Sequence, residues 1–190
     1  MKTMKIVFGI ALALTFSLAA TLKAQDIYVS NGANGTIGEY GLDGSTVNAS
    51  LISGLNNPYG IAISGNDLFV ARGDTTFEYT TAGVTVNTSL ITRLAQLSSI
   101  AVSGNDLFVG DVIRGIICKY TTTGATIAAP LITGMTPAGI AIWHNDLFVV
   151  DTENGCVYKF GTTTTPGTTV TKYLILGLNA PTAIAVAPVP

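Results

Sequence analysis

A period near 40 residues, an apolar pentapeptide that returns with it, and turn signals between short apolar runs predict an all-β chain. The architecture they predict is a β-propeller of four blades, each about 40 residues long and built from four strands. Asn-Asp-Leu-Phe-Val occurs at residues 66–70, 105–109 and 145–149, at spacings of 39 and 40 residues. A weaker copy, Ile27-Tyr28-Val29, precedes Leu68-Phe69-Val70 by 41 residues. An all-β sandwich would not explain why turn, apolar run and aromatic recur in one order.

One repeat shows the unit. Residues 99–102 form strand one, 106–110 strand two, 116–121 strand three and 126–132 strand four. Ser103-Gly104-Asn105 makes the first tight turn, with residues that tolerate positive φ. Strands one and two are nearly continuous apolar runs, as expected of strands covered on both faces. Strand four is richer in Thr and Asn and suits an outer edge.

The chain begins this pattern out of phase. Strands two, three and four come first, at residues 27–30, 37–42 and 48–52. Strand one then appears at residues 60–63, 99–102, 139–142 and 182–186, the last copy standing alone. A closed ring follows if residues 182–186 join the N-terminal three strands in one shared blade. The alternatives are an open arc, which would close by pairing with a second copy as a homodimer, or part of a larger propeller. Each strand one carries a central alanine (Ala62, Ala101, Ala141, Ala185), which predicts crowding near the axis.

Residues 1–24 read as a signal peptide, and residues 25–190 as the propeller domain. Lys2 and Lys5 precede an apolar stretch over residues 6–22, and Leu22-Lys23-Ala24 offers an imperfect cleavage site. An uncleaved anchor is the competing reading; after cleavage no transmembrane span is expected. Export places the protein in the secreted fraction or the cell envelope. Residues 25–190 keep 6 Lys+Arg against 11 Asp+Glu, a net charge of −5, which argues against nucleic-acid binding. The repeat register sets Cys118 and Cys156 on the same side of successive sheets, too far apart for a disulfide, so two buried free thiols are expected.

Pro58-Tyr59-Gly60-Ile61-Ala62-Ile63 followed by Asp67-Leu68-Phe69-Val70 recurs as Pro137-Ala138-Gly139-Ile140-Ala141-Ile142 and Asp146-Leu147-Phe148-Val149-Val150-Asp151. With Asn154-Gly155 and Val157-Tyr158-Lys159-Phe160, this pattern resembles bacterial NHL-repeat propellers and the related YVTN and gluconolactonase-type families. The resemblance spans residues 26–187 and implies the fold more strongly than any activity. The chain departs from it in holding four blades where family members usually have six. Leu97-Ser98-Ser99-Ile100 also lacks the Pro and Gly. The terminal Ala187-Pro188-Val189-Pro190 is similar to the Val-Pro found before the sorting tail of PEP-CTERM surface proteins, without such a tail following.

Propeller geometry brings the turns after strands two and four to one rim. That rim is the expected binding surface: Asn31, Arg72, Asp111 and Asp151 at equivalent positions, with Tyr59, Glu153 and Asn154 nearby. Asp74 and Asn34 fall in the same turns. Asp111 and Asp151 are the residues that would hold Ca²⁺ if any did; the favoured reading makes each a cap of its own turn, with no cofactor. His144 and Trp143 lie in a turn on the opposite rim, and no nucleophile motif is present. The Thr-rich run at residues 162–171 reads as a solvated extension of a turn. The expectation is an exported, non-catalytic scaffold binding a protein, a glycan or an envelope component through one rim. The resemblance supplies a second reading, a metal-dependent lactonase of gluconolactonase type. A third is a structural surface component.

Overall fold

The structure, a computed structural model, describes residues 26–169 and 172–187. The expected leader therefore lies outside the described residues. Fifteen strands and no helix make up the described part, arranged as four antiparallel blades. Blade 1 holds β1 (Asp26–Asn31), β2 (Thr36–Gly41) and β3 (Thr46–Ile52). Blade 2 is complete, with β4 (Pro58–Ser64), β5 (Asp67–Arg72), β6 (Thr75–Thr80) and β7 (Thr85–Ile91). Blade 3 runs through β8 (Leu97–Ser103), β9 (Asp106–Asp111), β10 (Ile116–Thr121) and β11 (Thr126–Thr133). Blade 4 has β12 (Pro137–Trp143), β13 (Asp146–Asp151) and β14 (Cys156–Gly161).

Local sequence explains these elements. The turn entering strand two takes positive φ at Gly65 and Gly104, and in blade 4 at His144, where φ is 53°. Alternate residues of each strand two face opposite neighbours. Leu68 and Val70 pack on blade 1, whereas Phe69 and Ala71 pack on blade 3. This two-sided burial is why strand two reads as a continuous apolar run. Three apolar clusters fill the three gaps between blades, and Phe69, Phe108, Leu107 and Val109 have no exposed surface.

The inner strands approach one another closely at the Pro-x-Gly motif. A Cβ on Gly60 would lie 3.0 Å from the Ile100 nitrogen and 3.1 Å from the Ser99 Cα. The motif glycine is thus a spacing device between blades. The central alanines expected to mark the tightest crowding are half-buried at Ala62, Ala101 and Ala141, and Ala185 is exposed. The contact falls one turn of the pleat earlier, at the glycine.

Among the described residues the chain does not close on itself. Residues 182–186 form no strand and have no ladder partner there, β1 pairs only with β2, and the four blades make an open arc. The segment does sit where a strand one belongs relative to blade 4. A Cβ on Gly139 would lie 3.0 Å from the Ala183 Cα, and Thr152 Oγ1 donates to the Pro181 carbonyl at 2.8 Å. It has the blade-to-blade contact of a strand one without the ladder to β1.

Blade 4 differs from the repeat in its outer strand too. There the fourth strand shrinks to one bridge, Val157 to Ile175. The Thr-rich run is not simply solvated. Within it, β15 (Thr168–Thr169) crosses to blade 3 and pairs parallel with Ile132 and Thr133 of β11. The open outer edge of β11 offers backbone groups that this short segment satisfies.

Candidate functional site

Register confirms that Asn31, Arg72, Asp111 and Asp151 hold one position. Each ends a strand two, opposite the first residue of strand three: Thr36, Thr75, Ile116 and Cys156. Their surroundings differ. Asp111 is fully buried, and its carboxylate accepts backbone N–H bonds from Ala95 at 2.7 Å, Gln96 at 3.3 Å and Arg114 at 3.1 Å. The Arg114 guanidinium stands 3.5 Å from it and donates to the Arg93 carbonyl at 2.6 Å. Asp151, also buried, accepts from the Asn154 backbone N–H at 3.0 Å and its side-chain amide at 2.8 Å. Both carboxylates are committed to neighbouring N–H groups, which ties the rim turns to the blades.

Arg72 lies over the Phe77 ring, 5.2 Å from its centre, and donates to the Asn56 carbonyl at 3.2 Å. Asn31 bonds Thr36 at 3.3 Å. Glu153 accepts from Thr136 Oγ1 at 2.8 Å and lines a depression of about 360 Å³ between blades 3 and 4, together with Asn154 and Arg114. A similar depression of about 260 Å³ lies beside Arg72 and Asp74.

Tyr59 belongs to the central feature of this rim. All four blades contribute to a cleft of about 540 Å³, whose lining includes Ser30, Asn57, Tyr59, Gln96, Ser98, Ala138 and Thr182. Among the described residues no charged side chain lines it. The Tyr59 ring is exposed, its hydroxyl accepts from Asn57 Nδ2 at 2.6 Å, and its carbonyl accepts from Ser30 Oγ at 2.7 Å. Ser98 donates to the Pro137 carbonyl and joins blades 3 and 4. Its described lining offers hydroxyls, amides and one aromatic face.

Sequence reasoning named Tyr59 but missed the other cleft residues, among them Ser30, Asn57, Gln96, Ser98, Ala138 and Thr182. Part of the signal was present: Asn57 and Gln96 stand in strand-four-to-one turns, just before Tyr59 and Ser98, which the structure places at the starts of β4 and β8. Arg114, three residues after Asp111, was likewise legible as a partner for it. His144 sits apart on the opposite rim, its ring 4.4 Å from that of Trp143. Cys118 and Cys156 are free, fully buried thiols in different inter-blade clusters. Burial pushes both thiols above their ordinary range. Among the described residues no group of three or more His, Cys, Asp or Glu side chains converges as a metal site.

No family model and no curated protein matches the chain. Solved structures do. It is similar to a protein of the nidogen/laminin complex, with a TM-score of 0.68 and 20% identity over 83% of this chain and 63% of that one. Streptogramin B lyase is similar with a TM-score of 0.60 and 21% identity, over 73% of this chain and 49% of the lyase. The computationally designed Ika8 protein gives 0.58 and 14% over 87% and 51%. The fold is a β-propeller arc. At these identities the likeness concerns the fold alone, and the chain spans about half the length of the lyase and of the Ika8 chain. No described helix is long and apolar enough to cross a membrane.

Proposed function

We propose that this chain is an exported, non-catalytic propeller scaffold that binds an uncharged ligand, a glycan or a neutral peptide segment, in the central cleft of one rim. The observation that carries this reading is the cleft itself, contributed to by all four blades and, among the described residues, free of charged side chains. An exposed tyrosine flanked by serine, asparagine and glutamine side chains suits the apolar face and hydroxyl edge of a sugar ring. The apolar N-terminal segment supports export, and the envelope is where such a ligand would be met. A gluconolactonase-type reaction would need carboxylates free to turn toward a common ion. Asp111 and Asp151 instead accept N–H bonds from their own turns.

Glycan-array and envelope-fraction binding by the wild type and Tyr59→Ala tests the proposal. Tyr59 is exposed, so the substitution leaves the fold intact, and binding should be lost. A ligand that binds both proteins equally would overturn the assignment to the cleft. Export is tested by sequencing the N-terminus of protein recovered from the medium or envelope.

A further inference from the structure

We infer that two copies of this chain join head to tail, blade 1 of each packing on blade 4 of the other, so that the pair closes one ring. The leading face of blade 1 is built as an interior surface. Leu68 and Val70, Leu107 and Val109, and Leu147 and Val149 are fully buried, and in blades 2 to 4 these positions pack on the preceding blade. Ile27 and Val29 hold the same register in β1 yet stand 41% and 39% exposed. Leu42 is 66% exposed where Thr81 and Thr162 are buried.

The trailing face of blade 4 is the matching half. Ile175 bridges Val157 as Ile132 pairs with Ile117, but Ile132 is fully buried and Ile175 is 46% exposed. Leu178 donates its N–H to the Gly155 carbonyl at 2.9 Å, as Leu55 does to Gly35 at 2.9 Å. Leu55 is buried, and Leu178 is exposed. Each free face thus carries the residues that elsewhere in this chain are covered by the other. Apolar surface of this kind, contiguous and in repeat register, marks an interface.

Two polar features fit the same partner. Lys119 reaches across from blade 3 to the Thr162 carbonyl of blade 4 at 3.1 Å while pairing with Asp106 at 2.8 Å. Lys159 repeats this arrangement, 2.8 Å from Asp146 and over the Phe148 ring, on the trailing side of blade 4. Its matching acceptor is the Leu42 carbonyl of a second copy. The free inner edge of β1 also meets residues 182–186, which lack a ladder partner. The pairing of Ile61, Ala62 and Ile63 with Val70, Phe69 and Leu68 sets the register. Ile184, Ala185 and Val186 of one copy would lie opposite Val29, Tyr28 and Ile27 of the other. A second copy supplies both faces at once, and head-to-tail contacts that return on themselves close a ring.

Light scattering on the full chain, expressed so that its leader is processed, tests this. The wild type should show twice the chain mass. Leu42→Asp, whose side chain is exposed in the single copy and so is free of any folding role, should fall to the mass of one chain. Val29→Lys and Ile175→Glu should each be monomeric alone and recover the doubled mass when mixed, because mixing restores one wild-type interface and sets Lys against Glu in the other. A monomeric wild type, a wild-type polymer larger than two copies, or variants that keep the doubled mass would each overturn the closed pair. A mixture that stays monomeric would overturn its head-to-tail arrangement.

Discussion

Replacing Asp111 by alanine removes the acceptor for three backbone N–H groups, those of Ala95, Gln96 and Arg114. Hydrogen bonds to a charged acceptor contribute roughly 1.5–3 kcal/mol each when buried. These donors lie near the rim, where water replaces part of the loss, so about 1 kcal/mol each is the fitting scale. The expected cost is about 3 kcal/mol, a large share of the roughly 5–15 kcal/mol that holds a domain together. Asp151→Ala frees only one backbone donor, that of Asn154, and should cost about 1 kcal/mol. Urea unfolding of both variants at equal protein concentration measures the difference. Asp111→Asn keeps the volume and one acceptor, and should fall between wild type and alanine. A loss at Asp111 equal to or smaller than that at Asp151 would refute the capping account. Calcium or EDTA should leave the wild-type midpoint unmoved. A calcium-dependent rise that disappears in Asp111→Ala would instead assign the carboxylate to an ion.

Thr76 is fully buried with no hydrogen-bond partner for its hydroxyl among the described residues, where the other blades have Ile37, Ile117 and Val157. Thr76→Val should therefore stabilise by roughly 1–2 kcal/mol in the same assay; a destabilised variant would show that the hydroxyl has a role. Glu78 faces Phe69 in the place where Lys119 and Lys159 face Phe108 and Phe148. Burial, with Asp67 adding to it, raises its pKa, so its ionisation opposes folding. Its contribution to stability should be full below the ordinary glutamate range and be lost as pH rises through the raised pKa; Glu78→Gln should remove that part of the pH dependence, and an unchanged profile would exclude Glu78 as its source. The thiols of Cys118 and Cys156 should resist a disulfide reagent in the native protein and both titrate after denaturation, whereas rapid native reaction would place one of them at the surface.

The amino-acid sequence determined the repeat. Periodicity, turn glycines and two-sided apolar runs are local properties, and they placed the strands of blades 1 and 3 and the equivalence of Asn31, Arg72, Asp111 and Asp151. Tyr59 was legible at the rim for the same reason, since the junction between strand four and strand one has a fixed place in a blade, although the residue lies at the start of β4 rather than in the turn. What each rim side chain does was not legible. Asp111 and Asp151 stand at one register position, and only the neighbouring turns decide that one caps three backbone donors and the other one. The cleft arises where four turns from distant parts of the chain meet, which no single repeat encodes. Counting strands could not decide closure either. Whether residues 182–186 reach β1 depends on how much each blade rotates against the next, a property of packing at Gly60, Ser99 and Gly139. Those contacts leave the arc open, with Ile27 and Val29 uncovered at one end and Ile175 and Leu178 at the other. Local pattern fixes the unit because it depends on neighbours in the chain; curvature and convergence depend on neighbours in space.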